Sequence, residues 1–179
     1  MTVATHPCLR SIIGSAVVAR LHFMRRFGVY VAVRGQHLDF PLGVSVHSGV
    51  DLQKINDFMP LLSSVDCVIH AAARVHVMHD TEEDPLAAFR DLNVTGTMNL
   101  ARQAADAGVK RFVFISSIKV NGELTSSGRP FTETDVPNPQ DAYAQSKHEA
   151  EQGLRQLSAE TRMEVVIIRP PLVLSLIHI

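Results

Sequence analysis

The stretch Val65-Asp66-Cys67-Val68-Ile69-His70, which runs directly into Ala71-Ala72-Ala73, is the clearest strand signal in the sequence. It is a short apolar run that ends in small residues. Parallel strands covered on both faces show such near-continuous apolar runs, whereas half-exposed strands alternate between apolar and polar residues. The stretch therefore predicts a buried strand of a parallel sheet.

Further apolar runs alternate with helical segments on both sides of this strand. Additional strands are predicted at residues 1–5, 29–33, 43–47, 111–117 and 164–169. Helices are predicted at residues 13–27, 85–107 and 141–157, with Gly28 and Gly108 as stops and an amphipathic segment at 51–62. This alternation predicts the α/β class, with a doubly wound parallel sheet covered by helices.

Length and composition narrow the function classes. A chain of 179 residues favours one domain, which we place at residues 1–179. The net charge of −1 provides no basic field, so we predict no nucleic-acid partner and no membrane partner. Cys8 and Cys67 are too few for a disulfide framework, which favours a reduced, cytoplasmic location.

The amino-terminal segment has two interpretations. No acidic residue precedes Asp39, and residues 11–19 form a short apolar run, as in a transit or secretory peptide. The alternative is that this segment forms the first strand and helix of the domain. We favour the second interpretation because the downstream pattern requires a preceding strand and helix.

A group of three polar side chains can move a proton. Tyr143 and Lys147 are four residues apart, so they share one face of the predicted helix. Ser117 follows the apolar run 112–115, so the tip of a strand can bring its hydroxyl beside them. These groups suit proton transfer at a carbonyl or alcohol carbon, although a Tyr and a Lys at this spacing also occur as plain surface pairs.

Other residues converge on the same edge of the sheet. Ligands of doubly wound sheets bind outside the carboxyl ends of the strands. The residues predicted at that edge are Arg34, Asp51, Ala71, Ala72, Ala73, Ser117 and Pro170.

The nine histidines do not predict a metal site. His76 and His79 have a ligand-like spacing with Asp80 beside them, but no third ligand follows at a convincing distance. His70 ends a buried strand and is interpreted as a structural residue. We therefore predict no metal.

Five motifs in order resemble the extended short-chain dehydrogenase/reductase superfamily. Within it, the chain is similar to the NAD-dependent epimerase/dehydratases that act on nucleotide sugars, the group that includes UDP-glucose 4-epimerase. The resemblance covers roughly residues 14–173, and its motifs are the run 68–73, Asn93-Val94-Thr95-Gly96-Thr97, Ser116-Ser117, Tyr143-x-x-x-Lys147 and Arg169-Pro170-Pro171. It implies a Rossmann fold and an oxidoreductase or epimerase of a UDP-hexose. It also leaves open a reductase of a non-sugar carbonyl such as a steroid or flavonoid.

The resemblance also implies roles for the polar group. Tyr143 is expected to be the general acid/base, Lys147 its activator and Ser117 the hydroxyl that orients the reacting atoms. A free phenol titrates near pH ~10, and lowering that pKa by about three units corresponds to roughly 4 kcal/mol. Lys147 and a positively charged nicotinamide ring can share this demand.

A nicotinamide cofactor, NAD or NADP, is the next implication of the resemblance. Arg34 stands where an acidic residue would bind the ribose of NAD, which leaves NADP open. The helices at 85–107 and 141–157 are expected to form a homodimer face. The implied cofactor-binding residues are Ile13, Gly14, Arg34, Asp51, Leu52, Ala71, Ala72, Ala73, Asn93, Ser116, Lys147 and Pro170.

The sequence departs from the family pattern near both ends, at residues 1–11 and 174–179. The phosphate loop of these enzymes reads Gly-x-x-Gly-x-x-Gly, but this chain has Cys8, Ser11 and Gly14 at the three positions. Residues 174–179 stand in place of the expected continuation. They are the peptide that the transposon end of a common sequencing library would encode in one reading frame. We therefore expect a truncated chain without its substrate-binding lobe, and an inactive dinucleotide-binding fragment is the alternative function.

Overall fold

The computed structural model describes residues 2–5, 12–35, 40–54, 57–75, 84–125 and 127–171, with only the backbone described at 2–5 and 12. The strands are β1 (Thr2–Thr5), β2 (Tyr30–Val33), β3 (Ser45–His47), β4 (Cys67–His70), β5 (Arg111–Ile115) and β6 (Glu164–Ile168). The helices are α1 (Ile12–Met24), α2 (Met59–Leu62), α3 (Pro85–Arg90), α4 (Thr97–Asp106) and α5 (Ala142–Glu160). This arrangement confirms the predicted α/β alternation.

The strands form one six-stranded sheet in the order β3-β2-β1-β4-β5-β6. Every neighbouring pair is parallel. The chain first builds outward from β1 to β3, then returns to β4 beside β1 and builds in the other direction. The strand order therefore reverses between β1 and β4, which is where doubly wound sheets bind their ligands.

Two apolar clusters hold the layers together. The larger cluster joins β4 and β5 to α4 and α5, with Phe58, Phe112, Phe114 and Leu154 among its buried members. The smaller cluster contains Val18 of α1 and the β2 valines. Since apolar burial is the main favourable term in folding, the half of the sheet from β4 to β6 has the larger share of this stabilisation.

The predicted helix at 85–107 is continuous but contains a π-helical turn at Asp91–Gly96 between α3 and α4. Asp84 caps its start, since the Asp84 side chain accepts a hydrogen bond from the Ala87 amide. A Cβ atom at Gly96 would lie 3.3 Å from both the Cβ and the carbonyl oxygen of Leu52. The mid-helix glycine is therefore explained by close packing, and π-turns of this kind often occur at functional sites.

Two local predictions need correction. Gly28 does not end the first helix, because α1 ends at Met24 and Arg25 adopts a φ of 50° directly after it. In the amphipathic segment predicted at 51–62, residues 51–54 and 57–62 contain the short helix α2 and a turn at 52–54, rather than one long helix. Gly108 does end its helix as predicted, with a φ of 81°.

Candidate active site

A cavity of about 550 Å³ lies at the carboxyl edge of the sheet, beside the point where the strand order reverses. It brings together residues from α1, from the segments after β4, β5 and β6, and from the start of α5. The predicted site residues that line it are Ile13, Ala71, Ala73, Ser116, Ser117, Tyr143 and Pro170. The structure thus gathers about half of the predicted site residues around one space, although they come from five separate parts of the chain.

Ser117 and Tyr143 both line this cavity, and the Ser117 hydroxyl acts on the phenol of Tyr143. Ser117 lies in extended backbone just after β5 and caps the 3₁₀ turn Ile118–Val120. Burial raises the pKa of the Tyr143 phenol, while the interaction with the Ser117 hydroxyl lowers it in part. The phenol is therefore protonated at neutral pH.

Lys147 lies one helical turn after Tyr143 and is fully buried. Its Nζ atom sits 3.9 Å from the centroid of the Phe114 ring, a cation–π contact. Burial lowers the pKa of Lys147 to about 7, and the Glu151 carboxylate opposes this effect only in part. The amine is therefore divided between its charged and neutral forms near neutral pH.

Asn93 does not line the cavity but fixes one of its walls. From the π-helical turn, its Oδ1 accepts a hydrogen bond of 2.8 Å from the Arg74 amide, and its Nδ2 donates to the Arg74 carbonyl at 3.0 Å. The same Nδ2 donates to Ser146 Oγ at 2.9 Å. Asn93 thus joins the segment after β4 to α5. It was predicted to bind the cofactor, but its side chain here makes structural hydrogen bonds beside the cavity.

A buried ionic network lies behind the cavity. Glu151 is 0% exposed and accepts hydrogen bonds from Ser116 Oγ at 2.6 Å and from Arg169 Nε at 2.9 Å. Arg169 also donates to Asn121 Oδ1 at 2.9 Å. Burial raises the pKa of Glu151, but the bonds from Arg169 and Ser116 outweigh it and hold the pKa below its usual range.

This network changes the interpretation of Ser116. The residue was expected to bind cofactor, and its position does line the cavity, but its hydroxyl donates to Glu151. Sequence reasoning missed Glu151, although its position four residues after Lys147 places both on one helix face. The same spacing argument that found Tyr143 and Lys147 could have found it.

Lys119 is a second residue that sequence reasoning missed. Its Nζ donates to Asp141 Oδ2 at 2.6 Å and to Glu123 Oε1 at 3.0 Å, and all three residues line the cavity. The only available signal was its position two residues after Ser117, in a segment rich in turn-forming residues.

Some predicted cofactor residues lie away from this lining. Leu52 packs in the larger apolar cluster, and Ala72 is buried with it. Arg34 is exposed just after β2, and Asp51 Oδ1 accepts a hydrogen bond of 3.1 Å from the Gln53 amide in a turn. Gly14 is buried in the first turn of α1, while Cys8 and Ser11 lie outside the described residues.

His70, interpreted as structural, ends β4 and is fully buried. Its Nε2 lies 2.8 Å from Thr97 Oγ1, and its ring stacks on Phe114. Burial, aided by the Lys147 charge, lowers the pKa of His70 to about 3. The imidazole is therefore neutral at physiological pH.

Metal and membrane features were searched over the described part of the chain. Residues 2–5, 12–35, 40–54, 57–75, 84–125 and 127–171 contain no cluster of three His, Cys, Asp or Glu side chains able to hold a metal ion. His76, His79 and Asp80 lie outside those ranges. Within them, no helix has both the length and the apolar character needed to cross a bilayer.

The residues present fit a dinucleotide along this edge. Ala71 and Ala73 have only methyl side chains, which leaves the space over the ends of β1 and β4 open. Gly14 at the start of α1 lets the helix pack closely on the sheet. At the other end of the same cavity stand Ser117 and Tyr143, so a group extended along the edge would reach the polar side chains.

Comparison with known proteins yields a consistent group of enzymes. A model of the NAD dependent epimerase/dehydratase family matches residues 10–176. A UDP-glucose 4-epimerase from Vibrio cholerae is 53% identical over 123 residues, which cover 69% of this chain and 38% of that protein. A dTDP-D-glucose 4,6-dehydratase from Homo sapiens is 33% identical over 105 residues, covering 59% of this chain and 29% of its own.

Solved structures agree with the described fold. The UDP-glucose 4-epimerase of Thermus thermophilus in complex with NAD superposes with a TM-score of 0.75 at 27% identity, covering 94% of this chain and 54% of its own. A dTDP-glucose 4,6-dehydratase from Streptomyces venezuelae, solved with NAD and a second ligand bound, gives a TM-score of 0.76 at 25% identity. The match covers 94% of this chain and 55% of that chain. The chain therefore spans about half the length of these structures and less of its curated relatives.

Proposed function

The chain belongs to the NAD dependent epimerase/dehydratase family, and from that premise we propose that it is the cofactor-binding and catalytic portion of an NAD(P)-dependent enzyme that acts on a nucleotide sugar of the UDP-hexose type. The family description confirms the predicted enzyme class and nicotinamide cofactor at the level of the family. The proposal for this chain rests on one observation: Ser117 and Tyr143 line one cavity, and Lys147 lies buried one helical turn after Tyr143.

The proposed chemistry assigns one task to each residue. Tyr143 takes or gives the proton of the reacting sugar hydroxyl, and Ser117 orients the oxygen that exchanges it. Lys147, in its protonated form, stabilises the phenolate of Tyr143 when the proton leaves. When bound, the nicotinamide would supply the hydride acceptor and donor.

The proposed cofactor site uses the same edge of the sheet. Ile13, Ala71, Ala73 and Pro170 line the cavity and provide an apolar bed for the dinucleotide. Arg34 stands just after β2, where its charge favours a 2′-phosphate, so NADP stays in the proposal beside NAD. Return of the hydride to the opposite face of the sugar would make the enzyme a 4-epimerase, and without that return it is a dehydrogenase or dehydratase.

A second candidate function follows from the glycine pattern. Cys8 and Ser11 stand where the family has glycine, so they bring Cβ atoms to positions that the family leaves free for the pyrophosphate. An inactive dinucleotide-binding fragment is therefore the competing proposal. A reductase of a non-sugar carbonyl uses the same polar residues and is the alternative within the enzyme class.

Titration of the 179-residue chain with NADH and NADPH, followed by nicotinamide fluorescence, tests the cofactor proposal. Saturable binding of either nucleotide supports the cofactor proposal. Absence of binding for both would contradict the NAD(P)-dependent enzyme and the dinucleotide-binding fragment alike.

Substitution of Tyr143 tests the catalytic proposal. Tyr143→Phe should lower turnover of a UDP-hexose by about 10²–10⁴-fold while leaving NADH affinity nearly unchanged. Tyr30→Phe is the matched control, because Tyr30 lies in β2 away from the cavity lining. Full activity of Tyr143→Phe would refute the role of Tyr143.

Three broader proposals accompany the function. Residues 1–179 form one NAD(P)-binding domain, the enzyme works in the cytoplasm, and the helices at 85–107 and 141–157 form a homodimer face. Light scattering after size-exclusion chromatography tests the last of these, since a monomer at high protein concentration would contradict it.

A further inference from the structure

Lys119 joins the catalytic serine turn to the start of the catalytic helix. Its Nζ donates to Asp141 Oδ2 at 2.6 Å and to Glu123 Oε1 at 3.0 Å. The Lys119 and Asp141 side chains are 41% and 32% exposed, so the pair lies at the mouth of the cavity rather than in the core. A pair this exposed adds little to global stability.

Both partners are directly connected to the catalytic hydroxyl groups. On one side, the Lys119 amide donates to Ser117 Oγ at 3.3 Å. On the other side, Asp141 is the N-cap of α5, and its Oδ1 accepts from the Ala144 amide at 2.6 Å, one residue beyond Tyr143. The two carboxylate oxygens of Asp141 therefore tie the Ser117 turn to the first turn of the helix that presents Tyr143.

We propose that Lys119 is a positioning residue, which through Asp141 holds the Ser117 hydroxyl against the Tyr143 phenol. Its consequence for catalysis rests on the proposed function, but its effect on the phenol does not. Without the Lys119 side chain, the turn at Ile118–Val120 loses its tie to α5, and the contact between the two hydroxyl groups loosens.

The surroundings of Tyr143 give this proposal a measurable signature. Burial and the charge of Asp141 raise the pKa of the phenol, whereas the Ser117 hydroxyl and the charge of Lys119 lower it. Glu123 acts through its ion pair with Lys119, and the Phe89 ring that meets the phenol edge-on is uncharged. Lys147 follows one turn later on α5. Loss of Lys119 should thus raise the pKa of Tyr143 for two reasons: its positive charge is removed, and the contact with Ser117 is weakened.

The chain is well suited to this measurement because it has two tyrosines and no tryptophan. In a Tyr30→Phe background, the phenolate absorbance reports Tyr143 alone. Lys119→Met should raise the pKa of Tyr143 by about half a unit or more, and Lys119→Arg should restore most of it. Lys110→Met is the matched control, since Lys110 also donates to a carboxylate at 2.6 Å, that of Asp66, but is not among the residues lining the cavity.

A double-mutant cycle separates positioning from a simple charge effect. If Lys119 acts through Ser117, Lys119→Met should raise the pKa of Tyr143 by about half as much in a Ser117→Ala background. An equal effect in both backgrounds would overturn the positioning role, and no effect beyond that of Lys110→Met would overturn any role. Lys119→Gln, a smaller change, provides the same test if the methionine variant fails to fold. The titration needs neither cofactor nor substrate, so its outcome is independent of the proposed function.

Discussion

The two halves of the sheet hold their side chains in different ways. In the half from β4 to β6, Glu151 is fully buried in a network with Ser116 and Arg169. In the half from β1 to β3, the described segments around α1 leave Phe23 76% and Leu42 97% exposed. The proposed catalytic residues therefore lie on a scaffold held by buried hydrogen bonds and an ion pair. The half proposed to bind the dinucleotide leaves more apolar side chains exposed to solvent.

The sequence shows the same contrast. The Ser116-Ser117 and Tyr143-x-x-x-Lys147 motifs of the catalytic half resemble those of the family, but only Gly14 remains of the three glycines expected in the cofactor half. A ligand-binding function needs both halves, so experiments that act on one half at a time are the most informative.

The largest effect is expected at the centre of the catalytic half. Glu151→Ala leaves Arg169 buried without its ionic partner, and removal of one member of a buried pair costs about 3–5 kcal/mol in the free energy of unfolding. Urea unfolding measures this change. Glu164→Ala is the matched control, because Glu164 pairs with Arg111 at 2.6 Å but both side chains are more than half exposed. Comparable losses for both variants would contradict the contrast between the network and the surface.

His70 should make the same half sensitive to acid. Its pKa falls from 6.5 in the unfolded chain to about 3 in the folded one. Between these values the unfolded chain binds more protons, so stability rises with pH and is lost as the pH falls from 6.5 towards 3. Between pH 6.5 and pH ~4.3 the loss assigned to His70 amounts to roughly 3 kcal/mol.

His70→Gln, which keeps a partner for Thr97, should flatten this part of the stability curve. His47→Gln, at an exposed position of β3, should leave it unchanged. Unfolding measured at several pH values distinguishes them, and a His70→Gln curve parallel to that of the wild type would contradict the assignment.

Restoring the glycine pattern should strengthen the cofactor half. The double substitution Cys8→Gly with Ser11→Gly removes two Cβ atoms from the segment that approaches the pyrophosphate in the family, and we expect about tenfold tighter NADH binding, roughly 1.4 kcal/mol. Isothermal titration calorimetry measures the affinity. Ser63→Gly, at an exposed turn after α2, controls for added backbone freedom. Unchanged or weaker binding in the double variant would show that these positions do not limit the cofactor half.

The smallest effect concerns the choice between the two cofactors. Arg34→Asp replaces a charge that favours a 2′-phosphate by one that favours ribose hydroxyl groups, so NADH should gain over NADPH by about tenfold or less. The ratio of the two dissociation constants is the readout, with Arg162→Asp as an exposed control. A ratio that does not move would remove Arg34 from the cofactor site.

Much of the fold was predictable because the strands appear as short apolar runs and the helices as apolar residues at helical spacing. The run Val65–His70 contains the observed strand β4, and Tyr143 with Lys147 fall on one helix as their spacing required. Such signals are local, and a parallel sheet then brings the strand ends to a common edge. Ser117 and Tyr143 therefore line one cavity, although they are distant in sequence.

What the sequence could not predict depends on long-range contacts. Nothing local to Ser116 indicates that Glu151 would take its hydroxyl hydrogen, and nothing near Lys119 indicates the pair with Asp141. The end of α1 at Met24 rather than Gly28 depends on how Arg25 turns the chain, which helix periodicity does not contain.

In the proposed function, a nicotinamide cofactor binds with its ring close to Tyr143. The direct test is the phenolate titration of the Tyr30→Phe chain, performed without cofactor, with saturating NAD⁺ and with saturating NADH. Because only the oxidised ring is positively charged, NAD⁺ should lower the pKa of Tyr143 well below its value in the presence of NADH. Titrations that coincide in all three conditions would contradict the claim.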